Sequence, residues 1–436
     1  MSASGCVVER GLFRGWDAVY LRNGLVTLAA VPDIGGRIMA YDLAGYPFLF
    51  VDPTLAGQLF SPEENWGDGS LNAWKNYGGD KTWPAPQGWE GDDQWHGPPD
   101  PVLDSGRYRL ADLGATADRA WLEMVSAADP RTGVQIGRKV TLLAGASRVN
   151  LELTFTNTLD RVTRWSIWDV VQLRAERLLD GGGLAAETAC AVSVPLNPRS
   201  RFARGYNVMF GAADNPQWQV DAANQLFIAP YLWEIGKVGI DSAAGWVAFS
   251  NDAAGCAFTA SFDVADGAEY PDGGATVEAW TVGRGKVGNF DYERSPVYLM
   301  EIEVLSPLFT FAPGESRTFS IRWGACRCDG PVVAVTSAGC VAAPLRAEQT
   351  SDGVRLSGAF GVFDPGALQV AAQDAQGQPL KTLDVQAVNP MTPIHLDMLL
   401  DLPDGAAACA LYVTADRDGA RRLLACAPVT GPGAAG

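Results

Sequence analysis

The chain has 436 residues, with 33 Lys and Arg against 50 Asp and Glu, a formal net charge of −17 at pH 7. An acidic chain without a Lys/Arg cluster is repelled by nucleic acid and by anionic membranes, so neither is an expected partner. The 47% apolar fraction is that of a packed globular protein, and the length admits two or three domains.

No segment approaches the ~20 continuous apolar residues of a membrane helix. The first ten residues lack a basic region followed by an apolar run, so no signal peptide is expected. The eight cysteines are scattered from Cys6 to Cys426, which argues against a disulfide framework. Cys326 and Cys328 have no second close pair with which to complete a zinc site. Reduced, mostly buried thiols in a cytoplasmic protein are expected, with no metal and no cofactor.

Forty-nine Gly and 27 Pro leave little room for helices. In chain order, residues 25–31, 149–156, 165–172, 245–250, 297–304 and 319–323 are short runs rich in Val, Thr, Trp, Phe and Tyr, bounded by Gly, Pro, Asn and Asp. Each predicts a strand, and together they predict an all-β protein of two large antiparallel sheets packed face to face. A boundary is expected at Cys328-Asp-Gly-Pro331, where the composition shifts to Ala, Val, Asp and Gly. Residues 1–328 are read as one large domain. Residues 329–436, with alternating runs at 354–358, 368–372 and 410–414, are read as a small immunoglobulin-like β-sandwich ending in a disordered tail from residue 431.

Residues 60–105 hold Trp66, Trp74, Trp83, Trp89 and Trp95, and the run Asn76-Tyr-Gly-Gly-Asp-Lys-Thr-Trp-Pro-Ala-Pro-Gln87. Their Gly and Pro content predicts a long aromatic loop without regular structure over most of its length. Such a loop suits a saccharide, whose C–H faces stack on Trp and whose hydroxyls bond to groups such as Asn76, Asp80, Lys81 and Gln87. The plain alternative is a loop whose tryptophans merely cap a sheet. His96, with Asp92, Asp93 and Asp100 near it in sequence, is a candidate general acid or base, or else a surface histidine. His395 is expected to be structural.

In the 297–304 run, alternation sets Glu301 and Glu303 on one face, ~7 Å apart, and Met300, Ile302 and Val304 on the other. The glutamates either line a cleft or face solvent. A glycosidase pair flanks its bond from opposite sides, which same-strand neighbours do poorly. Asp169 and Gln172 lie in a run whose bulky neighbours predict burial, and a buried Asp needs partners or a function. Lys237, Asp241, Glu278 and Tyr270 are further candidates. Arg37, Lys81 and Lys237 would form a positive pocket if they converge. No Gly-rich phosphate loop, Gly-x-Ser-x-Gly elbow or His-Glu-x-x-His is present.

The run Val31-Pro-Asp-Ile-Gly-Gly-Arg-Ile-Met39, the Gly78-Gly-Asp-Lys-Thr-Trp-Pro84 and His96-Gly97 elements, and Tyr298-Leu-Met-Glu-Ile-Glu-Val-Leu-Ser-Pro-Leu308 resemble aldose 1-epimerases and glucose-6-phosphate 1-epimerase-like proteins. Residues ~10–325 look most like an uncharacterised family of unknown function within the galactose mutarotase-like superfamily. The resemblance implies a β-supersandwich with a concave saccharide-binding face. It implies a Glu that takes the anomeric proton (Glu301 or Glu303) and an acid (His96 or Asp169). Arg37, Asn76, Asp80, Lys81, Trp83, Trp95, Trp168, Lys237 and Tyr270 would then surround the sugar. The second histidine of the epimerases has no counterpart in residues 165–172, which leaves binding without catalysis, or lyase or hydrolase chemistry, as alternatives.

Overall fold

The computed structural model describes residues 5–91, 93–288 and 290–431; Asp92 and residues 432–436 of the expected tail lie outside them. Among the described residues the protein is mainly β-structure in three large sheets, two antiparallel and one mixed. Twelve strands form the first sheet and ten the second. One apolar core joins them, drawing Ile38, Ile167, Val171 and Ile302 from the first and Leu122, Val140, Leu151, Phe258 and Ile321 from the second. The third sheet has eight strands between Ala334 and Thr430 around its own core of Leu356, Phe360, Val370, Leu411 and Leu424. Its one parallel pair joins Gly339–Thr350 to Arg421–Thr430. All eight cysteines are unpaired, and all but Cys426 are buried. No helix among the described residues is long and apolar enough to cross a membrane.

Six strands of the twelve-stranded sheet matter most, numbered here in chain order: β1 (Asp80–Ala85), β2 (Thr163–Arg174), β3 (Asn207–Gly211), β4 (Gly236–Ile240), β5 (Val277–Thr281) and β6 (Leu299–Leu305). In the sheet they run β1-β2-β6-β5-β4-β3, with Arg37–Leu43 beyond β1.

Two local outcomes correct the expectation of an irregular aromatic segment. Pro62–Trp66 is a short helix, started by a Ser61–Glu64 capping box with Pro at its first position. Asp80–Ala85 is a fully buried strand despite Pro84. It pairs with β2 from Asp80 to Ala85 but with Arg37–Leu43 only through Ile38 and Asp80. Pro84 therefore has no second ladder to serve, and its missing N–H costs little. Gly78 and Gly79, both at positive φ, turn the chain into this strand. A Cβ on Gly79 would lie 2.5 Å from the Ile38 carbonyl oxygen.

Candidate functional site

Side chains two apart on a strand share a face, so register decides what meets across the sheet. Trp83 stands opposite Trp168, and Lys81 opposite Val170. Gln172 pairs with Glu301, and Val170 with Glu303. Glu278 pairs with Glu303, and Trp280 with Glu301. Lys237 then pairs with Trp280 and with Phe210. Six strands thus place Lys, Glu, Gln and Trp side chains on one face of the first sheet. They line a cleft of about 260 Å³ whose aromatic walls include Trp74, Trp83, Trp168, Phe210, Trp280 and Tyr292, with Asn76, Gln87, Gln172, Lys237, Glu301 and Glu303 among them.

The aromatic wall is fixed from behind. Trp83 packs on Trp95 at 5.0 Å and on Trp168 at 5.4 Å between ring centroids. The buried carboxylate of Asp104 accepts the indole N–H of Trp74 at 3.0 Å and of Trp83 at 3.1 Å, and also pairs with Arg37. One buried acid thus sets the orientation of two wall indoles.

The charged floor is divided into two groups. In the first, Glu301 Oε1 accepts from Lys81 Nζ at 3.3 Å and from Gln172 Nε2. Both donors take the same oxygen, which leaves Oε2 to a ligand. Lys81 also lies 4.6 Å from the Trp83 ring centroid. Burial pulls the Lys81 ammonium below its ordinary pKa, and Glu301 opposes that pull. In the second group, Glu303 Oε2 accepts from Trp168 Nε1 at 2.8 Å and Lys237 Nζ at 3.0 Å. Lys237 also lies 2.6 Å from Glu278 Oε2. Burial works against the Lys237 ammonium, but Glu278 and Glu303 outweigh it and hold its pKa up. Burial pushes both acids up, to about 7 for Glu278 and about 8 for Glu303. Lys237 opposes this rise in each. Asp272 adds to it in Glu278, while Glu278 and Glu301 add to it in Glu303.

A family model described as a domain of unknown function, DUF4380, matches residues 17–325, which contain all six cleft strands. The chain belongs to the DUF4380 family. No curated protein matches it. Among solved structures, a galactose mutarotase-like protein from Clostridium acetobutylicum is 10% identical, with a TM-score of 0.46 over 74% of this chain and 99% of its own. A galactose mutarotase-like protein from Lactobacillus casei is 11% identical, with a TM-score of 0.41 over 71% and 99%. A candidate aldose 1-epimerase from Klebsiella pneumoniae is 12% identical, with a TM-score of 0.47 over 72% and 82%.

Of the residues singled out in the sequence, this DUF4380 protein brings Asn76, Trp83, Gln87, Trp168, Gln172, Lys237, Glu301 and Glu303 to the cleft wall, with Lys81 against Glu301. Others are placed elsewhere. Asp169 points to the opposite face of β2, between the sheets, where it meets Thr82 at 3.2 Å and Arg138 at 4.0 Å. Burial and the adjacent Asp80 hold its carboxyl well above the usual range, but it does not line the cleft. Asp80 lies on that same inner face, paired with Arg138, because it is one residue out of step with Lys81. Arg37 is fully buried behind the wall with Asp104, and Trp95 lies beneath Trp83 with its N–H on Asp100. These two support the site without lining it. His96 is exposed and lines a separate depression with Gln94 and Arg131. Tyr270 accepts the Ala265 N–H in a loop and does not line the cleft. Arg37, Lys81 and Lys237 do not form a positive pocket, because each faces a carboxylate. Asp104, Phe210, Trp280 and Tyr292 were not singled out. Trp280 follows Glu278 by two in a β-rich run, which is the one signal that could have found it.

Proposed function

We propose that the protein binds the ring form of an uncharged aldose in this cleft and moves protons at its anomeric centre, as a mutarotase does. What carries this reading is Glu301. Its Oε1 is fixed by Lys81 and Gln172, its side chain is 12% exposed, and it stands among indole walls that suit the C–H faces of a pyranose. A volume of about 260 Å³ suits a single sugar residue rather than a long chain, since drug-sized ligands use ~300–1,000 Å³. Glu301 takes the proton of the anomeric hydroxyl as the C1–O5 bond opens and O5 takes up a proton from an acid, giving the free aldehyde; rotation exposes the other carbonyl face, and closure gives the O5 proton back and returns the Glu301 proton to O1. In this reading residues 1–328 form the catalytic unit and residues 329–436 an accessory β-sandwich. The unpaired thiols fit a reducing compartment such as the cytoplasm.

The test is NMR exchange between α and β anomers over a panel of neutral aldoses. Exchange should accelerate with protein and fall by ~10²–10⁴-fold in Glu301→Gln, with binding retained. Unchanged exchange across the panel refutes the reading. A second reading, binding without chemistry, is favoured by one observation: neither histidine lines the cleft. It predicts calorimetric saccharide binding with no exchange.

A further inference from the structure

Glu303 and Glu278 are both buried, each 1% exposed, and they share one ammonium, Lys237. Glu303 Oε1 has no hydrogen-bond donor, nor has either Glu278 oxygen apart from its ion pair with Lys237. Two ionised carboxylates against one ammonium leave an uncompensated charge in a low dielectric and orphan these oxygens. One proton held between the two acids removes both costs, as in carboxyl pairs that cannot both ionise. The groups facing the pair are Lys237 from β4, Asp272 from the turn before β5, and Glu301 two residues along β6, whose own charge is met by Lys81. Trp168 from β2 supplies a neutral N–H.

We propose that Glu303 is the acid partner of Glu301, carrying a proton shared with Glu278 and delivering it to the ring oxygen of the sugar. This rests on the anomeric proton-transfer reading above. Glu301 and Glu303 project from one strand ~7 Å apart, a span that the two oxygens of a hemiacetal cover with one ~2.8 Å hydrogen bond at each end. In the forward step Glu301 removes the O1 proton and the freed pair forms C1=O1. The C1–O5 pair goes to O5, which takes the Glu303 proton. In closure the O5 proton returns to Glu303 and the Glu301 proton to O1, so no outside donor is consumed. Lys237 and Glu278 are positioning residues. Lys237 and Trp168 fix Oε2 of Glu303, which keeps the proton on Oε1, and Glu278 sets how firmly it is held; because Oε1 has no exposed surface in the free protein, delivery requires the carboxyl to turn toward the cleft as the sugar binds.

The proton can be read without any sugar by infrared spectroscopy of the full chain near pH 7. The wild-type spectrum minus that of Glu303→Gln should contain a protonated-carboxyl C=O band, and the same band should be roughly halved in Glu278→Gln. Its absence from both differences overturns the proposal whatever the protein does to sugars. Wild-type exchange should decline on the alkaline side. In Glu278→Gln that limb should move to lower pH by about one unit, because losing the neighbouring charge lets Glu303 ionise sooner. Glu303→Gln should lose ~10²–10⁴-fold in exchange while still binding sugar. If Glu303→Gln keeps the wild-type rate and pH profile while Glu301→Gln is inactive, the donor assignment fails and the sugar reading stands. If the wild type exchanges no sugar, both fail.

Discussion

Arg138, from the Val134–Leu143 strand of the second sheet, reaches between the sheets to Asp80 on β1 and lies 4.0 Å from Asp169 on β2, all three fully buried. It also donates to the backbone carbonyls of Gly36 at 2.7 Å and Asp80 at 3.2 Å. Arg138→Met keeps the length of the side chain and removes its charge and donors. Breaking a buried pair by deleting one partner costs ~3–5 kcal/mol, and the lost backbone bonds place this case at the upper end. The cost should depend on pH. Burial, and for Asp169 the neighbouring Asp80, raise both folded-state carboxyl pKa values, while Arg138 opposes the rise. A raised carboxyl binds more protons folded than unfolded, so it lowers stability as pH climbs from the unfolded pKa of ~3.9 through the folded one. Removing Arg138 raises the pair further, so the variant's deficit should widen by ~1.4 kcal/mol per pH unit for each additional proton retained. Urea denaturation followed by tryptophan fluorescence at about pH 5 and about pH 8 measures this. An equal deficit at both values would show that Arg138 does not balance the two acids, and a deficit under ~1 kcal/mol would show that it does not clamp the sheets.

Gly79→Ala should destabilise the protein by ~2 kcal/mol or more in thermal unfolding, because φ is +73° and the new Cβ would meet the Ile38 carbonyl; a change within ~0.5 kcal/mol contradicts this. Calorimetry should find neutral aldoses bound more tightly than the matching sugar phosphates or uronic acids, because the cleft's lysines already face carboxylates. Tighter binding of the anionic forms would mean that Lys81 or Lys237 exchanges its partner.

Strand alternation makes much of the cleft face legible in the sequence. Glu301 and Glu303 share a face because strand period forces it, and Met300, Ile302 and Val304 enter the core for the same reason. The run from Asn76 to Gln87 stands out by its residue types, but not as a strand, since only the sparse pairing on one side of β1 makes Pro84 tolerable. Whether Lys81 or Asp80 faces the cleft is a question of phase, and a one-residue slip exchanges them. His96 shows how far sequence proximity can mislead. It follows Trp95 directly, yet the chain turns between the two faces of the loop and leaves the imidazole outside. Trp280 and Phe210 reach the cleft only through the strand order β2-β6-β5-β4-β3, and Asp104 reaches the back of its wall from the irregular segment after β1; no local pattern encodes either.

The narrow contact between β1 and Arg37–Leu43 has its own outcome for the architecture. The residues from Phe48 to Val51 fill the gap: Phe50 N–H donates to the Gln172 carbonyl at 2.9 Å, Gly79 N–H to Phe50 at 2.7 Å, and Arg174 N–H to Phe48 at 2.8 Å. The backbone that carries Gln172, and through it the aim of Glu301, is therefore stitched to the opening fifth of the polypeptide. A minimal version of the protein trimmed to its six cleft-facing ribbons would come unlaced at this seam, so the early strands are part of the working parts and not packaging.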